Sequence, residues 1–319
     1  MARTYHPFGA AGRLNVRPWA AFASAPLRAA LLAAIMAAVV AACATPAPRP
    51  PAPPALAGHA VPTIASVDLL ATTAEMREFT DRHARSGSEE SPRAWRLAYA
   101  SLDPYLLDFD YDPMVTLPAD EAFRARRGNC LTFSSLFVAL ARSAGLEAWY
   151  QEIRMPPAWS AVNETLLVSK HVNAVVREHG QQYVIDVSRR KPGPNEQSRR
   201  LSDREATAQY YNNLGVDALV EADLALAYAY FAKALETQPD LAYLWSNLGV
   251  VLRRNGQSAD AILAYRAALE VDPDAATGGC TGPARDPGRQ DVGAGRGAGE
   301  PAVVATGDLG HQPRIARRS

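Results

Sequence analysis

Two stretches of this 319-residue chain copy each other at a fixed distance. Asn213-Leu214-Gly215 returns as Asn247-Leu248-Gly249, Ala227 as Ala261, and Phe231 as Tyr265. Ala234-Leu235-Glu236 returns as Ala268-Leu269-Glu270 and Pro239 as Pro273, and every offset is 34. A recurrence of that length marks stacked units, none of which buries its apolar face alone. Such an array needs about three units and a polar cap. A third should begin near Ala276, but the chain turns to Thr277-Gly278-Gly279-Cys280-Thr281-Gly282-Pro283, and no Lys, Phe, Tyr or Trp follows. Residues 276–319 are read as a frameshifted or disordered tail, in which Cys280 has no function.

The recurring positions resemble the tetratricopeptide repeat. Tyr211, Leu214, Gly215, Ala227, Phe231, Ala234 and Pro239 carry the resemblance in the first copy. Trp245, Leu248, Gly249, Ala261, Tyr265, Ala268 and Pro273 carry it in the second. The second copy has the expected turn residue, Gly256, where the first has Ala222. The resemblance implies an all-α array of helical hairpins, two repeats over 208–274 (208–241 and 242–275 by period), with aromatic contacts between helices and a protein or peptide partner.

The leading segment, 1–42, reads as an address. Arg3, Arg13, Arg17 and Arg28 precede an apolar run from Ala29 to Ala42, and no acid occurs before Asp68. That is the pattern of a secretory signal, and the run is too short for a membrane span, which takes about 20 residues. Val40-Ala41-Ala42-Cys43 resembles a bacterial lipobox, which implies that residues 1–42 are removed and Cys43 is lipidated. Ala44 in place of Asp leans towards the outer membrane, facing the periplasm. Residues 43–62 form a Pro/Ala-rich linker, an extended stalk or a proline-rich partner ligand. Acids and bases balance at 33 each; without the four leading Arg, 29 bases face 33 acids, a formal charge of −4 that disfavours nucleic acid as a partner.

Three cysteines make no disulfide framework, so Cys130 needs its own explanation. Ser66 to about Tyr105 reads as helical, with Ser91-Pro92 as a helix start. Asp108, Asp110 and Asp112 read as solvated loop carboxylates, since the Gly and distal Glu of a calcium loop are missing. Phe133, Leu136, Phe137, Leu140 and Ala144 recur at helical spacing, and Gly145 is placed to end that helix. Gly128-Asn129 breaks any helix before Cys130. The thiol therefore opens a helix, where unpaired N–H groups and the dipole favour the thiolate.

Further on, Lys170–Val176 and Gln182–Val187 read as a hairpin with Glu178, His179 and Gly180 in the turn. With a four-residue loop, Arg177 to Gly180, Val176 pairs with Gln181 and His171 stands directly opposite Asp186, Cβ atoms about 5 Å apart. The other face collects Val172, Ala174, Val176, Tyr183 and Ile185. A slip of one residue would separate the pair, so the reading depends on loop length.

Cys130 opening an apolar helix, His171 leading a later strand and Asp186 in the strand after that one follow an order and spacing that resemble the transglutaminase-like superfamily of papain-type Cys-His-Asp folds. The resemblance implies an α+β domain over 63–200, a helix packed on an antiparallel sheet. It implies Cys130 as nucleophile, His171 as its base and Asp186 as the group orienting the imidazole. No cofactor is expected, and the three side chains lack the close spacing usual for zinc. Two readings follow. One is a lipid-anchored thiol enzyme of the cell envelope acting on peptide or amide bonds, with repeats that recruit a protein. The other is a catalytically silent binding lipoprotein.

Overall fold

The computed structural model describes residues 51–85, 91–154, 159–162, 165–168, 171–187, 197–273 and 304–306. Expectations for the address, for Cys43 and for Cys280 lie outside these residues.

The helical reading of 66–105 resolves into two short helices behind an extended lead. Thr73 caps α1 (Ala74–Thr80) by accepting the Met76 N–H, and the helix runs on into a π-helical turn, Asp81–Arg85. Helix α2 (Arg93–Leu102) starts after Pro92, where a missing N–H costs nothing. Two-residue strands β1 (Asp110–Tyr111) and β2 (Arg127–Gly128) pair in parallel around α3 (Ala119–Ala125). Helix α4 (Cys130–Ser143) follows at once.

Every residue of α4 from Cys130 to Ala141 is buried, not only the expected face. The reason is tertiary. The α1, α2 and α3 helices pack on α4, and so do two strands of the sheet, so no side of that stretch reaches water, and only the last turn, with Arg142, is exposed. Gly145 takes φ +74° just past its end; its N–H reaches the Arg142 carbonyl and the Leu146 N–H reaches Ala141, which satisfies the last turn.

Four antiparallel strands form the sheet in the order β7 (Gln181–Ile185), β6 (His171–Glu178), β3 (Glu147–Arg154) and β8 (Gln197–Leu201). Between β3 and β6 lie β4 (Trp159–Val162) and β5 (Thr165–Val168), which pair as a hairpin. Strand β9 (Val304–Thr306), within the region read as a frameshifted or disordered tail, joins β5 in parallel.

A single residue separates the sheet from the repeats. Ser202 follows β8 and caps α5 (Asp203–Val220) in a reciprocal capping box with Glu205. The Arg142 guanidinium holds both oxygens of Asp203, at 2.6 and 2.9 Å. Arg199 joins Glu152 of the sheet to Glu205 of α5. The first repeat helix thus begins at Asp203, ahead of the periodic boundary at 208, because its opening turn belongs to the contact with the sheet.

Helices α6 (Leu224–Thr237), α7 (Ala242–Arg254) and α8 (Ser258–Val271) complete two helical hairpins. A Cβ at Gly215 would stand 2.6 Å from the Phe231 ring, and one at Gly249 would stand 2.6 Å from the Tyr265 ring. This contact, made once in each copy, is the physical content of the sequence repeat. Asn247 Nδ2 donates to Asn212 Oδ1 at 2.7 Å, a buried bond between the first helices of the two repeats. Two apolar cores result, one beneath the sheet and around α4, the other within the hairpins. Leu56, from the segment expected to be a linker, is buried in the second.

Candidate functional site

Asn129 takes an extended conformation and its side-chain oxygen accepts the Thr132 N–H at 2.9 Å, which starts α4 at Cys130. Asn129 Nδ2 donates to Thr116 Oγ1 at 2.8 Å, while the Thr132 hydroxyl accepts the Leu117 N–H at 2.9 Å and donates to the Val115 carbonyl at 3.2 Å. The loop at 115–117 is thereby stitched to the helix start. Gly128 fits because a Cβ there would stand 2.2 Å from Thr132 Cγ2.

The Cys130 thiol is fully buried, and its sulfur accepts the Val172 N–H at 3.4 Å. Val172 follows His171, so backbone geometry puts the sulfur within about 6 Å of the His171 Cα. Burial disfavours charge on sulfur; the Val172 N–H and the helix N-terminus favour it. His171 Nε2 lies 2.5 Å from Asp186 Oδ2, and both side chains are 12 % exposed. With Nε2 committed to the carboxylate, Nδ1 is the ring nitrogen left for another partner. The structure therefore brings His171 and Asp186 into direct contact and sets the Cys130 sulfur against the same strand.

The register differs from expectation. Val176 pairs with Tyr183, not Gln181, and the turn is two residues, His179 and Gly180, at φ +50° and +78°. Both values are positive, as a tight hairpin matching the strand twist requires. The ladder is shifted by two residues, which preserves side-chain parity; its last pair is Ala174–Ile185, so Asp186 lies one residue past β7 rather than in it and meets His171 diagonally rather than from directly opposite.

Glu178 was expected in the turn. It ends β6 as a buried carboxylate that accepts from Arg93 Nε at 2.8 Å and from the Ala94 N–H at 3.2 Å. Burial pushes its carboxyl up, but those donors outweigh burial and hold it below the usual carboxylate range. A charged residue beside a Gly looks like a turn in sequence; its partner lies 85 positions away, so no local signal marks it. Asp110 is exposed, and Asp112 lies 3.9 Å from Arg127. Among the described residues no group of three His, Cys, Asp or Glu is arranged to hold a metal.

Residues 242–275 match the family model of the tetratricopeptide repeat, at the boundaries the sequence period implies. Residues 84–163 match that of the transglutaminase-like superfamily, a span that contains Cys130 and stops short of His171 and Asp186. Neither the curated proteins nor the solved structures give a match. The chain joins a transglutaminase-like domain, with a helix on an antiparallel sheet, to tetratricopeptide-repeat hairpins that follow it.

Proposed function

We propose that this chain is a lipid-anchored cell-envelope protein whose Cys130–His171–Asp186 site breaks or exchanges amide bonds through a thioester, while its repeats hold a protein partner. The His171–Asp186 bond beside a thiol at a helix start carries the reading. Asp186 fixes the imidazole, and Nδ1 takes the thiol proton. The thiolate adds to the amide carbon, and the Cys130 N–H at the helix start is one donor for the resulting oxyanion. The imidazolium then gives its proton to the departing amine, leaving the thioester. Water completes hydrolysis; an amine completes transfer. The lipobox-like Val40-Ala41-Ala42-Cys43 supports the anchor, and Ala44 in place of Asp supports the periplasm-facing, outer-membrane location.

Full burial of Cys130 favours the second reading, a silent binding lipoprotein. Iodoacetamide labelling of Cys130 against pH separates the two. A catalytic site labels faster than an ordinary thiol near pH 6, slows strongly in His171→Ala, and loses turnover more than labelling in Asp186→Asn. Labelling that ignores His171→Ala from pH 5 to 9 refutes the enzyme.

A further inference from the structure

The segment read as a spacer lies along the repeats as a peptide lies on a receptor, extended except for a turn at Ala57–Gly58, where Gly58 takes φ +77°. Two carboxamides grip one residue's backbone: the Ala57 N–H donates to Gln257 Oε1 at 2.8 Å, and Asn255 Nδ2 donates to the Ala57 carbonyl at 2.9 Å. Gln257 Nε2 donates to the Ala55 carbonyl at 2.9 Å, and the Tyr228 hydroxyl to the Pro54 carbonyl at 3.0 Å. Between these bonds the Leu56 side chain enters the repeat core and is 6 % exposed. Farther along, the Tyr211 hydroxyl accepts the Val67 N–H at 2.8 Å and donates to the Ala65 carbonyl at 3.2 Å, and Ile64 and Val67 pack on the same core.

The contacting side chains come from α5, α6 and the α7–α8 turn, so both repeats take part. Asn255 Oδ1 also lies 2.9 Å from the His59 ring Nε2; apart from His59, Leu56, Ile64 and Val67, what they read is backbone, and Ala55 and Ala57 stay exposed. Backbone bonds set affinity for an extended chain, and a pocket for one side chain sets preference. Such a surface is suited to any extended segment with an aliphatic anchor among small neighbours. The native occupant wins by attachment. Leu69, two residues past Val67, is buried in the other core, which holds the segment at an effective concentration of the order of millimolar.

We propose that the repeat pair is an extended-peptide receptor kept occupied in cis by residues 54–67, and open to a partner that presents a competing extended segment with one aliphatic anchor. This rests on the reading that the repeats hold a protein partner.

The test uses the chain from Cys43 onward, with Cys43→Ser, and a fluorescein-labelled peptide of residues 51–68 as probe. Leu56→Asp in the chain should strengthen probe binding about tenfold or more, the weight of one buried aliphatic side chain, because the native occupant is released. Adding Asn255→Ala and Gln257→Ala should abolish that gain. Equal binding by the wild-type and Leu56→Asp chains overturns the proposal. So does a wild-type dimer that exchanges the segment between copies. Should Leu56→Asp lose its helical circular dichroism, hydrogen exchange on the wild-type chain decides. Ala57 and Val67 amides that exchange well before global unfolding support a displaceable ligand; amides that open only with it refute one. A chain that passes and yet recovers no partner protein refutes recruitment alone, so the two failures are distinguishable.

Discussion

Gly128→Ala tests how the start of α4 is built. The new Cβ would stand 2.2 Å from Thr132 Cγ2 and 2.6 Å from Thr132 Cβ, so the Thr132 methyl must retreat by about 1.3 Å to reach ordinary contact. Thr132 is fully buried, and its backbone N–H and its hydroxyl together make the three hydrogen bonds that tie Asn129, Val115 and Leu117 to the helix start. Overpacking costs about 1–3 kcal/mol, and the part-buried Leu117 N–H left without its acceptor costs about 1 kcal/mol. The backbone at residue 128, φ +157°, adds about 1 kcal/mol of strain for an L side chain. These terms overlap, and we expect a net loss of about 3–4 kcal/mol, a large share of the roughly 5–15 kcal/mol typical of a domain. Urea unfolding followed by far-UV circular dichroism should show a lower midpoint with unchanged slope. Thr132→Ser in the same background removes Cγ2, keeps the hydroxyl, and should recover about 1 kcal/mol. A loss below about 1 kcal/mol for Gly128→Ala, or no recovery by Thr132→Ser, would refute the reasoning.

Ala222 holds φ +62° at the turn where the second repeat has Gly256 at +78°, so Ala222→Gly should raise stability by about 0.5–1 kcal/mol in the same unfolding assay. Burial, with Glu221 as a second cause, raises the Asp217 carboxyl from 3.8 to about 6. The folded state therefore binds the extra proton between these values, so this group's contribution is full below about pH 4 and is lost as pH rises to about 6. Asp217→Asn should flatten that part of a stability–pH profile, and an unchanged slope would contradict the assignment. Cys43→Ser should abolish labelling by a fatty-acid probe and release the protein from membranes; a variant that keeps the label rules out the anchor.

The repeat architecture was legible because its contacts are set by identity at fixed spacing. A glycine must recur wherever an aromatic ring presses on a helix backbone, so Gly215 with Phe231 and Gly249 with Tyr265 leave the same mark in each copy. The start of α4 was legible for a similar reason, since Gly128 and Asn129 are the residues its geometry demands. The shared face of His171 and Asp186 was legible as parity, because strand side chains alternate with period two. The register itself was not. It depends on whether the chain can turn in two residues, and His179 accepting a positive φ decided that. The burial of α4 on every side, the Glu178–Arg93 pair and the docking of residues 54–67 were decided by tertiary structure alone. Each joins groups far apart in the chain. The docked segment is held largely through its backbone, which every sequence shares, so its composition reads as a linker while its hydrogen bonds make it part of the repeat domain.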